Sequence, residues 1–115
     1  MNTLNSIILE GTVEKMDYKM SEGTSTAVIN MAVERKYLDS AGNESTETSY
    51  FEVEAYGKIA IAVGNYAEKG RGIRVVGRLK QRRWEENGRL QSKVIVIAEH
   101  IEYKFSKKKE TKNGN

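Results

Sequence analysis

The chain has 115 residues, 38% of them hydrophobic and 30% charged, with a formal net charge of +3 and no cysteine or proline. That length is one domain with a modest core, and the lack of cysteine excludes a disulfide framework and a thiolate metal site. No apolar run approaches a transmembrane helix and residues 1–20 do not read as a signal peptide, so the cytoplasm is the expected compartment and no membrane partner is expected.

The charge is unevenly placed. Residues 104–115 hold five lysines against one glutamate. The first 103 residues therefore carry 14 basic and 15 acidic groups, a net of −1. The globular part is not basic overall, so any affinity for an anionic partner must come from where its charges sit.

A first strand is predicted near residues 5–13, where Ile7, Leu9 and Val13 alternate until Gly11 loosens the run. Residues 19–25 read as a polar turn. A second strand over 26–35 places Ala27, Ile29, Met31 and Val33 on one side. Residues 36–47 read as a long polar excursion, with a turn signal at Asp39-Ser40-Ala41-Gly42-Asn43. A third strand over 48–56 buries Phe51, Val53 and Ala55. Gly57 opens a helix reaching about Glu68, with Ile59, Ala60, Val63 and Ala67 at helical spacing. Lys69-Gly70 ends it.

The fourth strand is the most informative stretch. Residues 70–84 hold Arg71, Arg74, Arg78, Lys80, Arg82 and Arg83 with no acidic residue among them. Alternation leaves Ile73, Val75 and Leu79 for the core. It puts Arg74, Arg78, Lys80, Arg82 and Trp84 on the other face if the strand runs on. Asn87-Gly88 is a hairpin signal. A fifth strand over 89–98 contains Val94-Ile95-Val96-Ile97, so both its faces look buried there. The domain is expected over residues 1–103. Residues 104–115 are expected to be a short basic disordered tail.

Three strands, a helix and two strands is the order of an OB-fold, a five-stranded Greek-key barrel with its helix between strands 3 and 4. The aromatic residues add to this. Tyr50 and Tyr56 have the parity opposite to Phe51, Val53 and Ala55, so they point away from the core. Tyr37 and Trp84 stand where strands 2 and 4 run into their loops. Rings that stack on bases and cations that meet phosphates are what a single nucleic-acid strand needs. The plain alternative for any one of these residues is a solvated sheet face. Glu52 and Glu54 lie between the two tyrosines and would repel phosphate, unless they pair with Arg or Lys across the sheet.

Chemistry finds little support. His100 is the single histidine and reads as a surface residue. Glu52 and Glu54 could be paired carboxylates, but nothing nearby supplies a pocket. Gly70-Arg71-Gly72 is a turn and not a phosphate loop. The chain reads as a binding module with no catalytic residue, metal or cofactor.

The residues also carry a family resemblance. The chain resembles the DNA-binding domain of the bacterial single-stranded DNA-binding proteins over about residues 3–103. The matching pieces are Asn5-Ser6-Ile7-Ile8-Leu9-Glu10-Gly11, residues 32–44, Tyr56-Gly57-Lys58 and Tyr66-Ala67-Glu68-Lys69-Gly70. Gly77-Arg78-Leu79-Lys80-Gln81-Arg82-Arg83-Trp84 completes them. The resemblance implies a homo-oligomer, commonly a tetramer with a dimer as the smaller option. It implies coating of single-stranded DNA in replication, recombination and repair, in association with the nucleoid. It places base stacking at Tyr37, Tyr50, Tyr56 and Trp84. Phosphate contacts fall at Arg78, Lys80, Arg82 and Arg83, with Arg74, Lys36 and Lys58 added. The acidic tip through which such proteins recruit replication and repair enzymes has no match in the lysine-rich end. Two other functions stay open on sequence: an RNA-binding OB-fold, and a primosome-type accessory module that binds a replication protein first.

Overall fold

In a computed structural model, residues 2–105 are described and form a closed barrel of five strands with one helix. The elements are β1 (Ile7–Ser21), β2 (Thr24–Leu38), β3 (Glu44–Tyr56), α1 (Gly57–Tyr66), β4 (Gly72–Glu86) and β5 (Arg89–Tyr103). Around the barrel the order is β1-β2-β3-β5-β4. Every pairing is antiparallel except β3 with β5. This is the OB-fold expected from the element order. Of the tail expected over residues 104–115, Lys104 still joins β4, its N–H donating to the Gly72 carbonyl at 2.9 Å, and residues 106–115 lie outside the described residues.

The strands are longer than the alternation of apolar residues suggests. β1 and β2 meet at a two-residue turn in which Glu22 and Gly23 both have positive φ, 50° and 76°. β4 and β5 meet in the same way at Asn87 and Gly88, with φ of 53° and 77°. Positive φ at both central residues gives a turn whose twist matches the flanking strands. The polar segment 19–25 is thus mostly strand. So is 36–47, where only Asp39–Asn43 forms the turn. The Asp39 carboxylate accepts the backbone N–H groups of Ala41 and Asn43, both at 2.9 Å. Apart from the buried Ser25, these outer parts have no buried residue, so no period-2 pattern marks them. The helix closes at Tyr66, earlier than expected, and the N–H of Ala67 donates to the Val63 carbonyl.

Two bulges reset the alternation. The β1–β2 register skips Glu14, and the β4–β5 register skips Glu99. On β5 the inward residues are Val96 and Ala98 before the bulge and Ile101 after it. That shift carries the strand on to Tyr103, past the end expected at Ala98. Gly77 faces the bulge region, and a Cβ there would lie 2.0 Å from the Ile97 carbonyl oxygen.

The core is drawn from all the elements. Val13, Ile29, Met31, Val53, Ile73, Val75 and Val96 fill the barrel, and Ala60, Val63 and Ala67 plug one end from the helix side. Removing each such Val or Ile side chain from water contributes about 1.5–3 kcal/mol. Two residues expected in the core stand at the barrel's edge instead: Leu79 is 43% exposed and Phe51 is 37% exposed. Both lie where their strands begin to leave the closed barrel. Val94 is outside for the same reason, whereas Ile95, Val96 and Ile97 are buried as expected.

The parallel pairing of Val53 with Val96 and of Glu54 with Ile97 fixes the layout. β3 and β5 run in the same direction there. The β2–β3 hairpin and the β4–β5 hairpin therefore leave the barrel at the same end, as two arms. The helix and the β1–β2 turn lie at the other end.

Candidate nucleic-acid interface

Cross-strand partners share a face of the sheet, so the registers decide which candidate residues come together. On β3, Tyr50, Glu52, Glu54 and Tyr56 point outward, opposite to Phe51, Val53 and Ala55. On β5 the same outward face carries Lys93, Ile95 and Ile97, since Glu54 pairs with Ile97. On β4 it carries Arg78, Lys80, Arg82 and Trp84, whose partners are Ile97, Ile95, Lys93 and Gln91. On β2 it includes Lys36, four residues beyond the Ala32 that pairs with Tyr50. Tyr50, Tyr56, Trp84, Lys36, Arg78, Lys80 and Arg82 thus lie on one continuous surface. Lys58 follows Tyr56 in the first turn of α1.

Tyr37 and Arg83 are placed differently. Tyr37 pairs with Ser45 and has the parity of Met31 and Val33, so it lies on the opposite face of the β2–β3 arm. The Arg35 guanidinium covers its ring at 5.5 Å from the centroid. Arg83 has the parity of Leu79 and lies on the opposite face of the β4–β5 arm. Arg74 is outward but distant along β4. It donates to Glu10 at 2.6 Å and to Glu102 at 3.5 Å, with partners on both neighbouring strands. Those contacts raise its pKa, the hydrogen bond to Glu10 first.

The acidic pair is neutralised. Lys93 donates to both carboxylate oxygens of Glu52, at 3.0 and 3.3 Å. Arg82 grips Glu54 with two donors, Nε to Oε2 at 3.1 Å and Nη2 to Oε1. The Tyr56 hydroxyl donates to the same Oε1 at 2.5 Å. Glu54 is only 9% exposed. Its burial pushes the carboxyl up, but the hydrogen bonds from Arg82 and Tyr56 and the charge of Arg82 hold it below the usual carboxylate range. The Glu54 carboxylate in turn raises the Tyr56 phenol, with burial adding to it. These are the cross-sheet pairs that phosphate would need the two glutamates to make. Lys93 was not among the residues expected to matter. Its signal was its place on β5 opposite Arg82, which only the register reveals.

The remaining cations are available. Among the described residues Lys36, Lys58, Lys80 and Arg83 enter no ion pair, and Arg78 reaches Glu99 only at 3.9 Å. Tyr50 is 66% exposed, and Tyr56 and Trp84 each present about two fifths of their surface to solvent. Trp84 Nε1 donates to Glu86 at 3.3 Å, which leaves the ring faces open to stack. Among the described residues no cluster of His, Asp or Glu could hold a metal ion, and His100 is exposed beside Glu102.

A small β-barrel with exposed rings and unpaired cations on one sheet face defines an OB-fold module for single-stranded nucleic acid. The model of the single-strand binding protein family matches residues 4–104, and the chain belongs to that family, whose members bind single-stranded DNA without catalysing a reaction. The chain is 34% identical over 100 residues to the single-stranded DNA-binding protein of Aquifex aeolicus, covering 85% of this chain and 68% of that one. It is 35% identical over 101 residues to the single-stranded DNA-binding protein of Thermus aquaticus, covering 86% of this chain and 38% of that one. Among solved structures, a deletion mutant of the Thermus aquaticus protein superposes with a TM-score of 0.77 at 33% identity, over 90% of this chain and 52% of that one. A Plasmodium falciparum single-stranded DNA-binding protein in complex with single-stranded DNA has the same fold, with a TM-score of 0.81 at 23% identity over 91% of this chain and 98% of that one. The chain spans about half the length or less of the Thermus relatives. None of the helices in the described residues is long and apolar enough to cross a membrane.

Proposed function

We propose that this chain coats single-stranded DNA with little sequence preference, through the outward face of the β3–β5–β4 sheet. The observation that carries this reading is the common placement of Tyr50, Tyr56 and Trp84 with Lys36, Arg78 and Lys80. Every base has a π-face, so stacking on these rings is tolerant of sequence. The cations hold the backbone and make binding sensitive to salt. Tyr37 and Arg83 lie on the reverse faces of the two arms, so a strand that passes around an arm reaches them as well. Lys58 extends the cationic path past Tyr56 to the helix.

The same reading includes self-association as a homotetramer, work in replication, recombination and repair, and a place on the nucleoid in the cytoplasm. Family membership and the exposed faces of the barrel support these.

Competition tests the proposal. A labelled dT oligonucleotide bound to the protein is challenged with unlabelled dT, with duplex DNA and with a matched RNA. Displacement by dT alone is expected. Equal displacement by RNA points to an RNA-binding module, and failure to bind dT at all points to an accessory protein with another partner.

A further inference from the structure

Tyr56 stands at a junction: it is the last residue of β3 and the N-cap of α1. Its ring faces outward, and its hydroxyl is held from two sides. It donates to Glu54 at 2.5 Å and lies 3.0 Å from Arg82 Nη2, which donates to it. Arg82 belongs to β4 and Glu54 to β3, and β5 runs between them. The guanidinium therefore reaches across a whole strand, on the face where Ile95 is buried to 1% exposure. The three polar groups close a triangle in which each touches the other two.

This changes what Arg82 can do. A phosphate that drew the guanidinium away would leave the Glu54 carboxylate largely buried and unpaired, which is strongly unfavourable. Lys80, two residues earlier on the same face, is under no such restraint. Meanwhile an unbraced tyrosine on a solvent face must lose rotamer freedom when a base stacks on it. We infer that Glu54 and Arg82 form a brace that positions the Tyr56 ring for stacking, and that Arg82 is a positioning residue rather than a phosphate contact. The inference rests on the reading of this face as the single-stranded DNA surface.

The test is binding of a dT oligonucleotide over a range of salt concentrations, by wild type, Tyr56→Phe, Arg82→Gln and Lys80→Ala, with folding checked by circular dichroism. Tyr56→Phe keeps the ring and the Glu54–Arg82 pair and loses only the anchor. It is expected to bind about two- to tenfold more weakly, the cost of ordering one side chain, with the wild-type dependence of log K on log salt. Arg82→Gln is expected to weaken binding with the same unchanged slope, and adding Tyr56→Phe to it should cost nothing further. Lys80→Ala, by contrast, should reduce the slope by about 0.7, the value of one phosphate on a single strand. Wild-type affinity in Tyr56→Phe overturns the brace, and a shallower slope in Arg82→Gln restores that residue to the phosphate path. Tyr56→Phe decides the matter alone if Arg82→Gln fails to fold. Failure of wild type to bind dT removes the functional reading itself and the brace with it.

Discussion

Glu54 and Arg82 are paired across an intervening strand, one on β3 and the other on β4 with β5 between them. The pair joins the strand that carries Tyr50 and Tyr56 to the strand that carries Trp84. It therefore ties β3 to β4 across the face that presents the stacking rings. The Glu52–Lys93 pair makes a second, shorter tie from β3 to β5.

The lowered pKa of Glu54 gives stability a pH dependence with a definite sign. Its contribution is fully present above the unfolded value of about 4.3 and is lost as pH falls through the lower folded value. Glu54→Gln should therefore be less stable than wild type near neutrality. The gap should close in acid. Urea midpoints of both proteins between neutral pH and strong acid measure this, and a gap that persists in acid contradicts it.

Trp84→Ala should weaken binding of single-stranded DNA by about 1–3 kcal/mol, the usual worth of one stacked base. The ring stands on an arm outside the core, so the thermal midpoint should scarcely move. Affinity measured by anisotropy of a labelled oligonucleotide decides it. A folded mutant with wild-type affinity removes Trp84 from the stacking surface.

The cations on β4 should separate by their partners. Arg78→Ala and Lys80→Ala should each make log K less steeply dependent on log salt, by about 0.7. Arg74→Ala should leave the slope as it is, because Glu10 and Glu102 already hold that guanidinium. A salt titration of the three variants tests the division. Equal slopes for all three would show that ion pairing in the free protein does not predict the phosphate path.

Gly77→Ala should destabilise the barrel. The added Cβ would lie 2.0 Å from a backbone oxygen of β5, and backbone cannot step aside as a side-chain end can. Forcing a methyl group into such a contact costs about 1–3 kcal/mol. The thermal midpoint measures it, and an unchanged midpoint would mean that the strands separate there without penalty.

Much of this could be read in the sequence. The apolar alternation around Ile29, Val53 and Ile73 marked the barrel strands. The outward parity of Tyr50 and Tyr56 on β3 held, and so did the cationic row ending in Trp84 on β4. What alternation could not reveal was the full length of the strands, because residues 17–21 and 36–38 have no buried face to impose a period. It also could not follow β5 past Glu99, where a bulge exchanges inward and outward positions. Ion pairing was legible only as a condition on Glu52 and Glu54. The partners depend on the parallel β3–β5 register, which brings together residues some 28 to 41 positions apart in the chain. Tyr37 and Arg83, sound candidates by residue type, share the parity of Met31 and of Leu79, which puts them on the reverse faces of the two arms.

The most direct test of the central claim is a titration of the protein with a dT oligonucleotide at low and high salt, followed by the fluorescence of Trp84, the one tryptophan in the chain. Saturable quenching that weakens steeply with salt, and that duplex DNA does not compete away, is the predicted result. Fluorescence that does not change while the protein stays folded, or binding indifferent to salt, would contradict a surface built from stacking rings and free cations.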